Sequence, residues 1–163
     1  LFYAIGCPHC SKVDKYIKEN NLEKIMAIEK KEVGFNRGNA NEMIEKAQNF
    51  PNMDGPSVFK KAVVKFPEVV MEALTKNGLV PDDISLLIPH QANLRISQFV
   101  QQKLALRDDQ VFNNIDKYGN TTAASIPIAL CEAWELGKIK EGDLICLAAF
   151  GSGFTWGSAL LRW

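Results

Sequence analysis

Apolar residues return every three or four positions along 57–76. Val58, Phe59, Ala62, Val63, Phe66, Val69, Val70, Ala73 and Leu74 fall on one face, the spacing of a helix with a single buried stripe. Pro67 removes one backbone hydrogen bond and should kink this helix, and Gly78 closes it. Beyond it the pattern predicts strands at 84–88 and 111–115, helices at 92–105 and 121–136, and strands at 143–150 and 153–162. Ahead of it lie a strand at 1–5, a helix at 8–20, a candidate strand at 25–29 and a helix at 39–48. Asn49-Phe-Pro-Asn-Met-Asp-Gly-Pro56 separates the two sets as a turn-rich break. Helices alternating with strands predict an α/β layered fold.

One stretch could be mistaken for a membrane span. Leu144 to Leu161 carries no formal charge, and eighteen such residues approach the length of a membrane span. Gly151, Ser152, Gly153, Gly157 and Ser158 interrupt it. Two buried strands joined by a glycine-rich turn are therefore expected.

The 163 residues could form one domain or two small ones. Nineteen basic residues balance nineteen acidic ones, so no global field draws the chain to nucleic acid or an anionic membrane. No basic stretch followed by an apolar one opens the chain, so no signal peptide is expected and the cytoplasm is the default location. The chain opens on Leu1, inside a predicted strand, which suggests a piece of something longer.

Four cysteines at positions 7, 10, 131 and 146 are too few and too uneven for a disulfide framework. Cys7-Pro8-His9-Cys10 follows the first strand and opens a helix. There the helix dipole favours a thiolate at Cys7, and Cys10, one turn on, can resolve a mixed disulfide. Half a zinc site and chance structural thiols are the competing readings. Cys131 and Cys146 lack the spacing of a second ligand pair, and no metal site is expected. The stretch 2–48 resembles the front of glutaredoxins and of the N-terminal domain of glutathione transferases. The resemblance implies a partial thioredoxin-like βαβα segment over 1–49 and thiol–disulfide exchange through Cys7 and Cys10. The strand after a cis-proline, the hairpin and the last helix of that family have no counterpart before Gly55.

His90 sits just after the apolar strand Leu86–Ile88, at a strand's C-terminal end, where α/β folds commonly place chemistry. Asn120 ends the predicted strand and loop 111–119 and precedes a helix. It can cap that helix or offer its amide to a ligand. A lone histidine at such a place is often only structural. An imidazole N–H and an amide N–H aimed at one point, however, would make an oxyanion hole.

Three segments then act together: Ile88-Pro-His-Gln-Ala-Asn-Leu-Arg-Ile96, Lys117-Tyr-Gly-Asn-Thr-Thr-Ala-Ala-Ser-Ile-Pro127 and Ala149-Phe-Gly-Ser-Gly-Phe-Thr-Trp-Gly-Ser158. With Met53-Asp54-Gly55 and Val58-Phe59-Lys60 they resemble, in order and interval, the C-terminal half of β-ketoacyl-acyl-carrier-protein synthase III. The resemblance implies a domain over 50–163 with half of a thiolase-like fold. The implied reaction is the decarboxylative Claisen condensation that starts fatty-acid synthesis, an acyl transfer. Acyl-CoA and acyl-carrier-protein thioesters would be its substrates, with no tightly bound cofactor and no nucleic acid or membrane as partner. A homodimer is the candidate assembly of the intact enzyme. By the same resemblance His90 and Asn120 hold the malonyl thioester oxygen, and Phe150 stands beside the malonyl carboxylate. Gly151 and Gly153 form an active-site loop, Asn93 lines the pantetheine tunnel, and Arg95 receives the acidic carrier protein. For Arg95 a solvated helix charge is the plainer alternative.

The family's nucleophilic cysteine belongs to the other half. Cys131 reads as mid-helix and apolar, Cys146 as part of a buried strand, and Cys7 lies in the unrelated front segment. None matches, so the isolated chain is expected to be inactive. The two donors should converge, each beyond the end of neighbouring strands.

Overall fold

The structure, a computed structural model, describes residues 53–163 and the backbone of the strand Ile25–Lys31 (β1). The predicted strand 1–5, the helices 8–20 and 39–48, and the Cys7–Cys10 element lie outside the described residues.

Helix α1 spans Gly55–Lys76, two residues earlier than its pattern predicts. The extension has a local cause: Asp54 accepts a hydrogen bond from the Ser57 N–H at 3.2 Å, and Pro56 sits in the first turn. Pro67 lies inside the helix, which continues on both sides of it. Asn77 ends it by donating its side-chain amide to the Ala73 carbonyl, and Gly78 follows at φ +66°. Ala62, Phe66, Val69, Val70, Ala73 and Leu74 are buried along the predicted stripe. Each large apolar side chain so covered contributes about 1.5–3 kcal/mol.

The sheet has the order β1-β4-β3-β2, with β2 at Leu86–Pro89, β3 at Leu144–Gly151 and β4 at Thr155–Arg162. β2 runs parallel to β3, with Pro89 opposite Ala148. β3 and β4 form an antiparallel hairpin that closes at Gly151 opposite Thr155. The uncharged run 144–161 is thus two buried strands and a turn. At Gly153, φ is +140° and a Cβ would lie 2.5 Å from Thr155 Oγ1 and 2.9 Å from its backbone nitrogen. Only glycine fits that corner.

Strand β1 pairs antiparallel with β4 over its whole length, from Ile25 opposite Leu161 to Lys31 opposite Thr155. Part of the segment expected to stand apart therefore extends the same sheet.

Both faces of the sheet are covered. Leu144, Cys146, Ala148 and Phe150 alternate toward a cluster with α1 and with α2 (Leu94–Lys103). Ile145 joins Leu86, Ile88 and Leu161 against α4 (Ser125–Glu135). This two-sided burial explains why β2 and β3 read as continuous apolar runs rather than alternating ones.

The expected strand at 111–115 does not form. Only Val111 bridges Leu87, and the Phe112 N–H donates to the Leu87 carbonyl at 3.0 Å. From there side chains take over the backbone: Gln110 Nε2 donates to the Ile84 carbonyl at 2.6 Å, and the Asn114 N–H donates to Gln91 Oε1 at 3.1 Å. The chain then turns into a one-turn helix, α3 (Ile115–Tyr118). The expected helix 121–136 likewise opens as a short 3₁₀ turn at Thr122–Ala124 before α4 begins.

Candidate active site

His90 leaves the C-terminal end of β2. Its N–H donates to the Ala148 carbonyl of β3 at 2.8 Å, so the strand pairing fixes where its side chain departs. The ring is half-buried, and its Nδ1 lies 2.6 Å from the Ser125 hydroxyl at the start of α4. Among the described residues Nε2 has no hydrogen-bond partner. Burial lowers the His90 pKa, because desolvation penalises the charged ring.

Asn120 follows Gly119, at φ +65°, in the turn between α3 and α4. It is exposed, and its Oδ1 accepts from the Thr122 N–H at 2.9 Å. With the oxygen so engaged, the amide N–H₂ is what remains to donate. Thr122 is held at φ +52°, a conformation that β-branched residues rarely adopt. The turn is braced from behind. Glu132 of α4 accepts from Asn114 Nδ2 at 2.7 Å and pairs with Lys117 of α3. Asn120 thus comes from a turn after a helix, not from the end of a neighbouring strand, because the segment leading to it is captured by Gln91.

Gln91 was not singled out by the sequence pattern, yet it is central to this architecture. It is buried, and its Nε2 donates to the Pro89 carbonyl at 2.7 Å and to the Phe112 carbonyl at 3.4 Å. One amide thereby ties the His90 turn to the segment carrying Asn120. Ser125 is the second residue missed. The only available signals were a polar residue directly after His90 and a lone hydroxyl entering an otherwise apolar helix.

The remaining sequence candidates are placed as follows. Asn93 caps α2, its Oδ1 accepting from the Arg95 N–H at 2.9 Å. Arg95 is exposed on the first turn of that helix. Phe150 is buried on the α1 side, stacked between Phe154 at 5.3 Å and Trp156 at 6.1 Å. It lies two residues past Ala148 and so at the same end of the sheet as His90. Gly151 ends β3, and Gly153 lies in the hairpin turn. Cys131 and Cys146 are both buried, and burial pushes the Cys146 thiol up to about 12. A thiol held there is protonated at neutral pH and is no nucleophile.

The lowered histidine has a measurable consequence. An unfolded His90 takes up its proton near 6.5, before the folded one does. The stability from keeping this ring neutral is therefore present above about pH 6.5 and declines as pH falls through the lowered folded value. Urea midpoints of the wild type and of His90→Gln, compared between about pH 8 and pH 5, should converge toward the acid end. Parallel curves would contradict the burial effect.

Helices on both faces of this mixed sheet, with the histidine at a strand end, define one half of a thiolase-like fold. The protein-family model described as 3-oxoacyl-[acyl-carrier-protein (ACP)] synthase III C terminal matches residues 74–163. The chain belongs to that family. The β-ketoacyl-[acyl-carrier-protein] synthase III of Rhodospirillum centenum is 55% identical over 111 residues, which are 68% of this chain and 34% of that protein. The synthase of Helicobacter pylori is 53% identical over 117 residues, covering 72% and 35%. The crystal structure of 3-oxoacyl-[acyl-carrier-protein] synthase III from Aquifex aeolicus superposes with a TM-score of 0.74 at 44% identity, over 84% of this chain and 43% of that one. The synthase from Pseudomonas aeruginosa gives the same TM-score of 0.74 at 34% identity. The chain spans about a third of the length of these curated relatives. None of these matches is to a glutaredoxin. Among the described residues no helix is long and apolar enough to cross a membrane.

Proposed function

We propose that residues 53–163 supply the malonyl-decarboxylating half of a β-ketoacyl-acyl-carrier-protein synthase III active site. The observation that carries this is the anchoring of His90 through Nδ1 at a strand end, with Nε2 making no hydrogen bond among the described residues, on a chain of this family. In the proposed reaction, the malonyl thioester oxygen accepts from His90 Nε2–H and Asn120 Nδ2–H. The bond to the malonyl carboxylate breaks, carbon dioxide leaves, and the electron pair stays behind as an enolate. Two fixed N–H donors stabilise that charge better than mobile water does. The enolate carbon then attacks an acyl thioester on a cysteine, and the thiolate departs.

That cysteine would come from the family's other half. Cys131 and Cys146 are too deeply buried for the task, and Cys7 and Cys10 lie outside the described residues. Phe150 would form the apolar wall that favours loss of a charged carboxylate as neutral gas. Arg95, exposed at the start of α2, would meet the acidic carrier protein, with Asn93 beside the pantetheine arm and Gly151 and Gly153 closing the loop. Acyl-CoA as acyl donor, a homodimeric intact enzyme and a cytoplasmic location belong to the same proposal.

The test is a chimera. Residues 53–163 replace the matching segment of the Rhodospirillum centenum synthase, where 55% identity makes the exchange practicable. Condensation of acyl-CoA with malonyl-carrier protein should persist within about tenfold, which is a barrier change of about 1.4 kcal/mol. A chimera that unfolds cooperatively yet condenses nothing would refute the proposal.

A further inference from the structure

We infer that Ser125 is a positioning residue that sets the tautomer of His90, so that the ring proton resides on Nε2. The inference deepens the oxyanion role proposed above and rests on it for its functional meaning, although not for its geometry.

Protons and lone pairs at the His90–Ser125 contact fix the tautomer. A serine hydroxyl has one proton to give and two lone pairs. Ser125 is 2% exposed, so bulk water does not complete its shell. The Gln91 N–H points at its oxygen from 3.2 Å and occupies one lone pair. Among the described residues, the other polar atom bound to this oxygen is His90 Nδ1, at 2.6 Å. If Nδ1 carried the ring proton, it would fill the second lone pair and leave the hydroxyl proton buried without an acceptor. If Nδ1 is bare, the hydroxyl donates to it and every group is satisfied. A buried donor left unmade is costly enough to bias this choice by about tenfold or more. The same count disfavours the doubly protonated ring, for which Nδ1 must also donate.

The consequence lies on the far side of the ring. With Nδ1 accepting, Nε2 carries a proton and can donate to a developing negative oxygen. In the other tautomer Nε2 would present a lone pair to that oxygen and repel it. Ser125 never needs to touch substrate to decide between these. Its placement follows from the fold: it is the first residue of α4, whose buried face holds it against the sheet.

The chain contains two histidines, His9 and His90. A His9→Gln background therefore leaves one ring in a ¹⁵N-labelled sample of the whole chain. Long-range ¹H–¹⁵N spectra, recorded above the His90 titration, distinguish the tautomers directly. The expected wild-type result is a protonated Nε2 and a bare Nδ1. In Ser125→Ala the Nδ1-protonated fraction should rise about tenfold, and Ser125→Thr, which keeps the hydroxyl, should restore the original pattern. A wild-type ring protonated on Nδ1 overturns the inference without recourse to any variant. So does a folded Ser125→Ala chain with an unchanged spectrum. Because these spectra are independent of catalysis, a chimera indifferent to loss of His90 would refute the oxyanion role and leave the tautomer assignment intact.

Discussion

Replacing His90 or Asn120 by Ala in the active chimera should lower malonyl-carrier-protein decarboxylation roughly a hundredfold each, the usual consequence of removing one oxyanion donor. The two losses should combine to less than their product, because in the proposed reaction both donors serve one oxygen. Asn120 offers a sharper control than alanine. Its Oδ1 holds the Thr122 N–H, so Asn120→Ala removes a turn contact together with the donor. Asn120→Asp keeps an oxygen for Thr122, loses the amide protons and places a negative charge beside the developing enolate. It should melt like the wild type and decarboxylate at least as poorly as the alanine variant. If both single alanine variants retain activity within about threefold, far from the hundredfold expected of a donor, the assigned roles are wrong.

The second large effect concerns stability, and it falls on Gln91. Gln91→Met keeps the length of the side chain and removes its amide. The Asn114 N–H and the Pro89 and Phe112 carbonyls then lose their partner inside the protein. Each buried backbone group left unmade costs about 1–3 kcal/mol, so a total near 3 kcal/mol is expected after partial relaxation. Urea unfolding of the chain measures it through the midpoint at constant slope. The chimera carrying Gln91→Met should also lose decarboxylation, since the turn bearing Asn120 is held to the His90 turn by this amide. A stability change below about 1 kcal/mol, the size of one ordinary hydrogen bond, would mean that other contacts hold the two segments together.

Residues whose pattern is local were legible from the chain. The three-and-four spacing of Val58 to Leu74 names helix α1 because a helix buries one face, and that face repeats within the sequence. The uncharged run from Leu144 to Leu161 names two strands, because strands buried on both sides are apolar throughout and glycines mark the corner. His90 and Asn120 were visible as polar residues among small ones at element ends, and the family pattern joined them.

The rest depends on contacts between remote segments. Val111 to Ile115 reads as a strand, yet its backbone is captured by Gln91, a residue some twenty positions away. A side-chain amide can replace a sheet partner, and nothing in the local pattern announces that competition. Strand β1 was a candidate strand on its own, but its pairing with β4 joins residues more than a hundred positions apart. The same holds for Ser125, which is unremarkable in sequence and acquires meaning only 2.6 Å from His90 Nδ1. The α/β layering, the apolar faces and the identity of the polar residues at element ends were readable from the chain alone, because burial periodicity and turn chemistry act between near neighbours. Which nitrogen of His90 meets the serine, and which backbone groups are left for Gln91 to bind, are questions of distance between remote segments, and only the packed chain answers them.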